Sequence, residues 1–114
     1  MKPFEIGYGE DKVIIYPKMA SIEQTDNFSR DLSDVSDTDE SKYDTEFSIY
    51  KTALDTFSAK PAEKVVKEKG VTKRVPLEGG LSAHFGVRTP EAERIVREAY
   101  QIVVGQMRPA SSFL

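Results

Sequence analysis

The stretch from Thr89 to Met107 constrains this chain more than any other. Thr89-Pro90-Glu91 supplies an N-cap, a proline at the first helical position and an acid at the positive end of the helix dipole. Ala92, Ile95, Val96, Ala99, Ile102, Val103 and Gln106 or Met107 then recur at helical spacing. Glu91, Glu93, Arg94, Arg97, Glu98 and Gln101 fill most of the other side, and Glu93 precedes Arg97 as a favourable i,i+4 pair. Pro109 ends the pattern, so a helix is predicted over about 90–107, with a short tail over 108–114. A helix apolar on one side needs a second layer to cover it, and the rest of the chain must provide that layer.

A second stripe answers it. Phe47, Tyr50, Leu54 and Phe57 are spaced three, four and three apart, which is one side of a helix, with Asp44 placed to cap it. Upstream, Ile22, Phe28, Leu32 and Val35 share one broad helical side, and Ser21 with Gln24 has the spacing of a capping box. At the front, Phe4, Ile6 and Tyr8 alternate with polar or small residues. Gly9-Glu10-Asp11-Lys12 reads as a turn and Val13-Ile14-Ile15-Tyr16 as a returning strand, stopped by Pro17. This predicts a hairpin over 3–17, and a lone two-stranded hairpin must lean on something else to persist in water.

The middle of the chain is weaker in pattern and stronger in charge. Residues 31–46 hold seven carboxylates (Asp31, Asp34, Asp37, Asp39, Glu40, Asp44 and Glu46) against Lys42. The centre of that run has almost nothing to bury and predicts a loop over about 33–43. Pro61 suits the first turn of a short third helix and Gly70 its end, with Ala62, Val65 and Val66 as its apolar contacts. Lys60, Lys64, Lys67, Lys69, Lys73 and Arg74 make this region basic. Residues 70–80, with Pro76 and the Gly79-Gly80 pair, read as a connector and a flexible joint, and Leu81 to Phe85 as a helical turn.

At 114 residues, with 39% apolar and 31% charged side chains, the composition fits one modest core in one domain. There is no cysteine, which removes disulfides, thiolate nucleophiles and thiolate metal sites. A net charge of -3 makes nucleic acid a poor default partner. Met1-Lys2-Pro3-Phe4-Glu5 has no apolar leader segment, and no apolar run approaches a membrane span, so a cytoplasmic place of work is expected. His84 is the only histidine, and no Gly-x-Ser-x-Gly or other nucleophile motif accompanies it. Asp37 and Asp39 alternate as a calcium loop would, but Lys42 stands where that loop needs glycine. The basic stretch carries no interleaved aromatic on which bases could stack. Gly79-Gly80 lacks the lysine and hydroxyl of a phosphate loop. The expectation is no catalytic residue, no metal and no cofactor.

Phe4-Glu5-Ile6-Gly7, Lys12-Val13-Ile14-Ile15-Tyr16-Pro17 and Ser21-Ile22-Glu23-Gln24 together resemble the opening of tail assembly chaperones of long-tailed bacteriophages. The segment from Tyr43 to Phe57 fits the layout of that family, which continues with an acidic stretch and further helices. The resemblance covers the first half of the chain, and no residues beyond Gly70 are matched. It implies a non-enzymatic role in the host cytoplasm. Members coat the tape measure protein, recruit major tail protein and leave before the virion is finished. Some carry a frameshifted C-terminal extension.

The fold expected is α+β, mainly α, with an N-terminal β-hairpin packed on three or four helices. The function expected is an assembly chaperone or adaptor that binds a helical client and is open to homo-oligomer formation. Phe4, Ile6, Ile14 and Tyr16 are expected to form the hairpin's contact face, and Ile95, Ala99, Ile102 and Val103 to give core or oligomer packing. Two alternatives stay open: an acidic inhibitor of a host nucleic-acid enzyme that mimics DNA, and a small structural or connector protein of the virion.

Overall fold

The helix expected at the C-terminal end forms as α4 (Pro90–Met107). Thr89 caps it: the Ala92 amide donates to the Thr89 hydroxyl at 3.0 Å, and the Glu93 amide to the Thr89 carbonyl at 2.9 Å. In the computed structural model, which describes residues 2–8, 11–35 and 41–107, α4 packs against α2 (Lys42–Thr56). Before α2 comes α1 (Ile22–Ser33), closed by the expected capping box: the Gln24 amide donates to the Ser21 hydroxyl, and the Ser21 amide to the Gln24 side chain. The hairpin is β1 (Phe4–Tyr8) and β2 (Asp11–Ile15). β2 begins at Asp11, inside the expected turn, and the middle of the acidic loop (36–40) and the tail 108–114 lie outside the described residues.

The main departure lies between 61 and 76. The expected third helix is instead β3 (Glu63–Glu68), and the expected connector is β4 (Val71–Pro76). The hairpin therefore does not rest on helices alone. It is half of a four-stranded antiparallel sheet in the order β1-β2-β3-β4. A mainly helical fold with a lone hairpin is thereby corrected to a small α+β fold in which sheet and helices both contribute. The cause is chemical. Val65, Val66, Val71, Thr72 and Val75 are β-branched and favour strands over helix. Lys69 and Gly70 both take positive φ, 53° and 77°, which is the two-residue hairpin turn whose twist matches its strands. Gly70 thus turns a hairpin and does not stop a helix. A lysine is strained in that conformation, so Lys69→Asn is expected to raise stability by about 0.5–1 kcal/mol in urea unfolding.

The short α3 (Gly80–His84) follows. Gly79 and Gly80 do not form a loose joint. Both have positive φ, and a Cβ on Gly80 would stand 2.8 Å from Asp55 Oδ1. The Asp55 carboxylate accepts from the Leu81 amide at 2.9 Å, the Ser82 amide at 3.2 Å and the Ser82 hydroxyl at 2.9 Å, and so pins α3 to α2.

The core lies where one side of the β1–β2 hairpin meets α2, α3 and α4. Ile6, Val13, Ile15, Leu54, Phe57, Leu81, Val96 and Val103 are all buried there. Phe57 sits at its crossing point, edge-on to Phe28 of α1 at 5.3 Å, and its carbonyl accepts from the Lys18 amide. In α4 the buried side includes Tyr100 and Val104, whereas Ile102 is 43% exposed. α1 buries no residue fully and touches the core through Phe28 and Leu32.

Candidate functional site

The eight residues expected to bind a partner divide by the register of the sheet. Phe4 pairs with Ile15 and Ile6 with Val13, so these four share the core side of the hairpin. Ile14 pairs with Glu5 and lies on the opposite side, as does Tyr16 two residues on. Phe4 and Ile6 therefore meet, but Ile14 and Tyr16 do not join them in one contact face. On α4, Ile95, Ala99 and Val103 are buried in this chain's own core, and only Ile102 reaches solvent. Most of the apolar surface expected for a partner is thus consumed within the fold.

Ile14 is itself buried on that opposite side, and Tyr16 beside it anchors a polar cluster. Its hydroxyl donates to the Glu63 carboxylate and accepts from Arg74 Nη1 at 3.4 Å. Lys60 Nζ stands 4.1 Å from its ring centroid. This cluster ties β2 to β3 and β4 where they first meet.

Beyond that point β3 and β4 leave the body of the protein. β2 pairs with β3 only at Val13–Lys64 and Ile14–Glu63, while β3 and β4 pair over their whole length. The base is held by Ala62, which is buried, and Leu77, whose amide donates to the Ala62 carbonyl at 2.8 Å. Among the described residues, no helix packs extensively on either strand, and every residue of β4 is exposed. The result is a projecting arm with both sides open. The register places Lys64, Val66, Glu68, Val71, Lys73 and Val75 on one side. Val71 and Val75 are 56% and 46% exposed there, and Val66 is half-buried. Lys73 and Glu68 pair on this side at 3.5 Å. The other side carries Val65, Lys67, Thr72 and Arg74. Its sequence signal was available: β-branched residues crowd both halves, with a Lys-Gly turn between them.

The acidic stretch is partly engaged within the chain. Asp44 does not cap α2. Ser41 stands at the N-cap position, and Asp44 in the first turn binds Arg88 at 2.6 Å. That bond is the main reason the Arg88 guanidinium sits above its ordinary pKa. Arg88 also pairs with Glu93, and Arg97 with Glu93 and Glu46, which links α2 to α4 along one edge. Asp31 and Asp34 are exposed, and Asp37, Asp39 and Glu40 lie outside the described residues. His84 meets Phe85 edge-on at 4.8 Å and lines a cleft of about 400 Å³ with Val87, Thr89 and Ile95. Among the described residues, no three His, Cys, Asp or Glu converge on a metal position, and no helix is long and apolar enough to cross a membrane.

Tyr50 and Tyr100 meet edge-on at 5.0 Å between α2 and α4. Burial raises the Tyr50 phenol above its usual value, against the nearby positive charge of Arg97. Tyr50 therefore contributes stability that is complete below pH 10.0, the unfolded value, and is lost as pH rises through the higher folded value. Tyr50→Phe is expected to lessen the alkaline loss of stability above that point, measured by urea unfolding across pH. The Tyr100 hydroxyl is buried without a hydrogen-bond partner among the described residues. Tyr100→Phe is accordingly expected to be neutral or to stabilise by about 1 kcal/mol.

Comparison with family models, with curated proteins and with solved structures finds no match to this chain.

Proposed function

We propose that this chain is a non-enzymatic assembly chaperone or adaptor, of the kind its opening resembles, and that it holds its client through the valine side of the β3–β4 arm. The observation that carries this reading is the arm itself: a strand pair outside the core, with Val71 and Val75 exposed on one side and, among the described residues, no helix packed extensively over them. A folded protein gains nothing in its own stability by holding two branched apolar side chains in water, and a partner that covers them does. The client is a helical protein such as a tape measure, whose apolar stripe would lie across the valines with Lys64 and Lys73 at the rim. Major tail protein is the second partner that the resemblance implies, and the host cytoplasm is the place of work. Ile102 offers a further apolar contact on α4, open to a client or to a second copy.

Two of the carboxylates that a DNA mimic would display, Asp44 and Glu46, are paired with Arg88 and Arg97, which favours the adaptor over the inhibitor. Co-expression with a tape-measure fragment tests the reading. Folded protein should co-purify with the fragment and keep it soluble. Recovery of the folded chain alone, with the fragment insoluble, would overturn it.

A further inference from the structure

We infer that the free edge of β4 is a second binding site on the arm, and that it takes an extended acidic segment of a partner protein as a fifth strand. The site is the backbone edge of β4, next to the valine side chains and sharing Lys73 with them, but it does not rest on the reading above.

The two-residue turn makes Glu68 and Val71 a hydrogen-bonded pair, and the bonded pairs alternate from there. Val71, Lys73 and Val75 therefore direct their backbone groups at β3. Thr72, Arg74 and Pro76 direct theirs away from the sheet. Pro76 agrees with this phase, because its missing N–H falls on the outward side, where no ladder bond is lost. The outward amides of Thr72 and Arg74, with the carbonyls of 72, 74 and 76, form an edge with no strand beyond it among the described residues.

Charge selects the occupant. Residues 60–74 carry six basic side chains against Glu63 and Glu68. A second copy of β4 in antiparallel register about its centre would set Arg74 opposite Arg74 or Lys73 opposite Lys73, which like-charge repulsion disfavours. An incoming strand with carboxylates would meet Lys73 on one side and Arg74 on the other, with small apolar residues beside Val71 and Val75. Nucleic acid fits less well. The arm has no aromatic for base stacking, and the chain as a whole is acidic.

The test uses the full chain and a synthetic peptide of about eight residues, alternating valine and glutamate but with one central valine replaced by glutamate, so that carboxylates fall on both sides of the added strand. Amide exchange should slow by about tenfold or more at Thr72 and Arg74 when the peptide is bound. Lys73→Glu with Arg74→Glu should weaken peptide binding by about tenfold or more, and a lysine-for-glutamate peptide should not bind. Thr72→Pro removes one outward donor without breaking a ladder bond and should also weaken binding. Lys73→Glu alone leaves the Tyr16–Glu63–Arg74 cluster intact and should also weaken binding, so it keeps the test decisive if the other variants do not fold. Binding without protection at Thr72 and Arg74, or equal binding of the lysine peptide, would overturn the assignment. So would a DNA duplex that protects these amides in the peptide's place. Protection that is present without peptide and grows with protein concentration would assign the edge to a second copy and overturn it as well. Loss of the peptide with tape-measure capture intact would remove this site and leave the adaptor reading standing.

Discussion

Phe57→Ala is expected to lower the unfolding free energy by about 3–5 kcal/mol, the largest stability change that any one side chain here should produce. Phe57 is fully buried and is the bulkiest side chain to be so. It ends α2, and its neighbours Ser58 and Ala59 bridge back to Tyr16 and Pro17 of the first hairpin. Its ring also meets Phe28 edge-on, one of the two side chains that hold α1 to the core. Truncation therefore opens a cavity where sheet, α1 and α2 converge, and α1 should fray first. Chemical denaturation gives the free energy, and amide exchange over 22–33 gives the order of loss. A change below about 1 kcal/mol would mean that the core is centred elsewhere.

Val71→Thr combined with Val75→Thr is expected to weaken client capture by about tenfold or more, with stability changed by less than about 1 kcal/mol. Threonine keeps the branched shape that a strand favours and replaces a methyl with a hydroxyl. In water that exchange costs the exposed arm little. Under a client the hydroxyls must be desolvated, and the apolar contact shrinks. Titration of a labelled client fragment and thermal unfolding of the same preparations separate the two effects. Equal loss of stability and capture would place the valines in the fold and not in the contact.

Local signals carried most of the helical structure. Thr89, Pro90 and the α4 stripe, the Ser21–Gln24 box and the spacing from Phe47 to Phe57 each act within a turn or two, so each is legible without knowledge of the rest. What escaped was decided across distance. Val65 and Val66 are adjacent, which suits a helix side as well as a strand; the β-branched residues flanking Gly70 lean toward strands, and pairing with Arg74 and Lys73 fixes the choice. Gly70 fits a helix end and a hairpin turn equally well until the positive φ of Lys69 is known. Asp44 has the type and place of a cap, yet Arg88, 44 residues away in sequence, takes its carboxylate. The expected contact residues failed to assemble for the same reason. Phe4, Ile6, Ile14 and Tyr16 are each apolar or aromatic in a strand, but the register that puts Phe4 opposite Ile15 sends Ile14 and Tyr16 to the other side. On α4, helical spacing identified the buried side but not its width, so Ile102 was grouped with Val103 although only Val103 is covered.

The measurement that bears most directly on the arm as the working part of this protein is a backbone NMR footprint of the full chain as a bound tape-measure fragment is added. Chemical-shift changes and slowed exchange should concentrate on 63–76, strongest around Val71 and Val75. Changes confined to Met19, Ile22, Tyr43, Val87 and Ile102, the other large apolar side chains exposed among the described residues, with 63–76 unmoved, would contradict it.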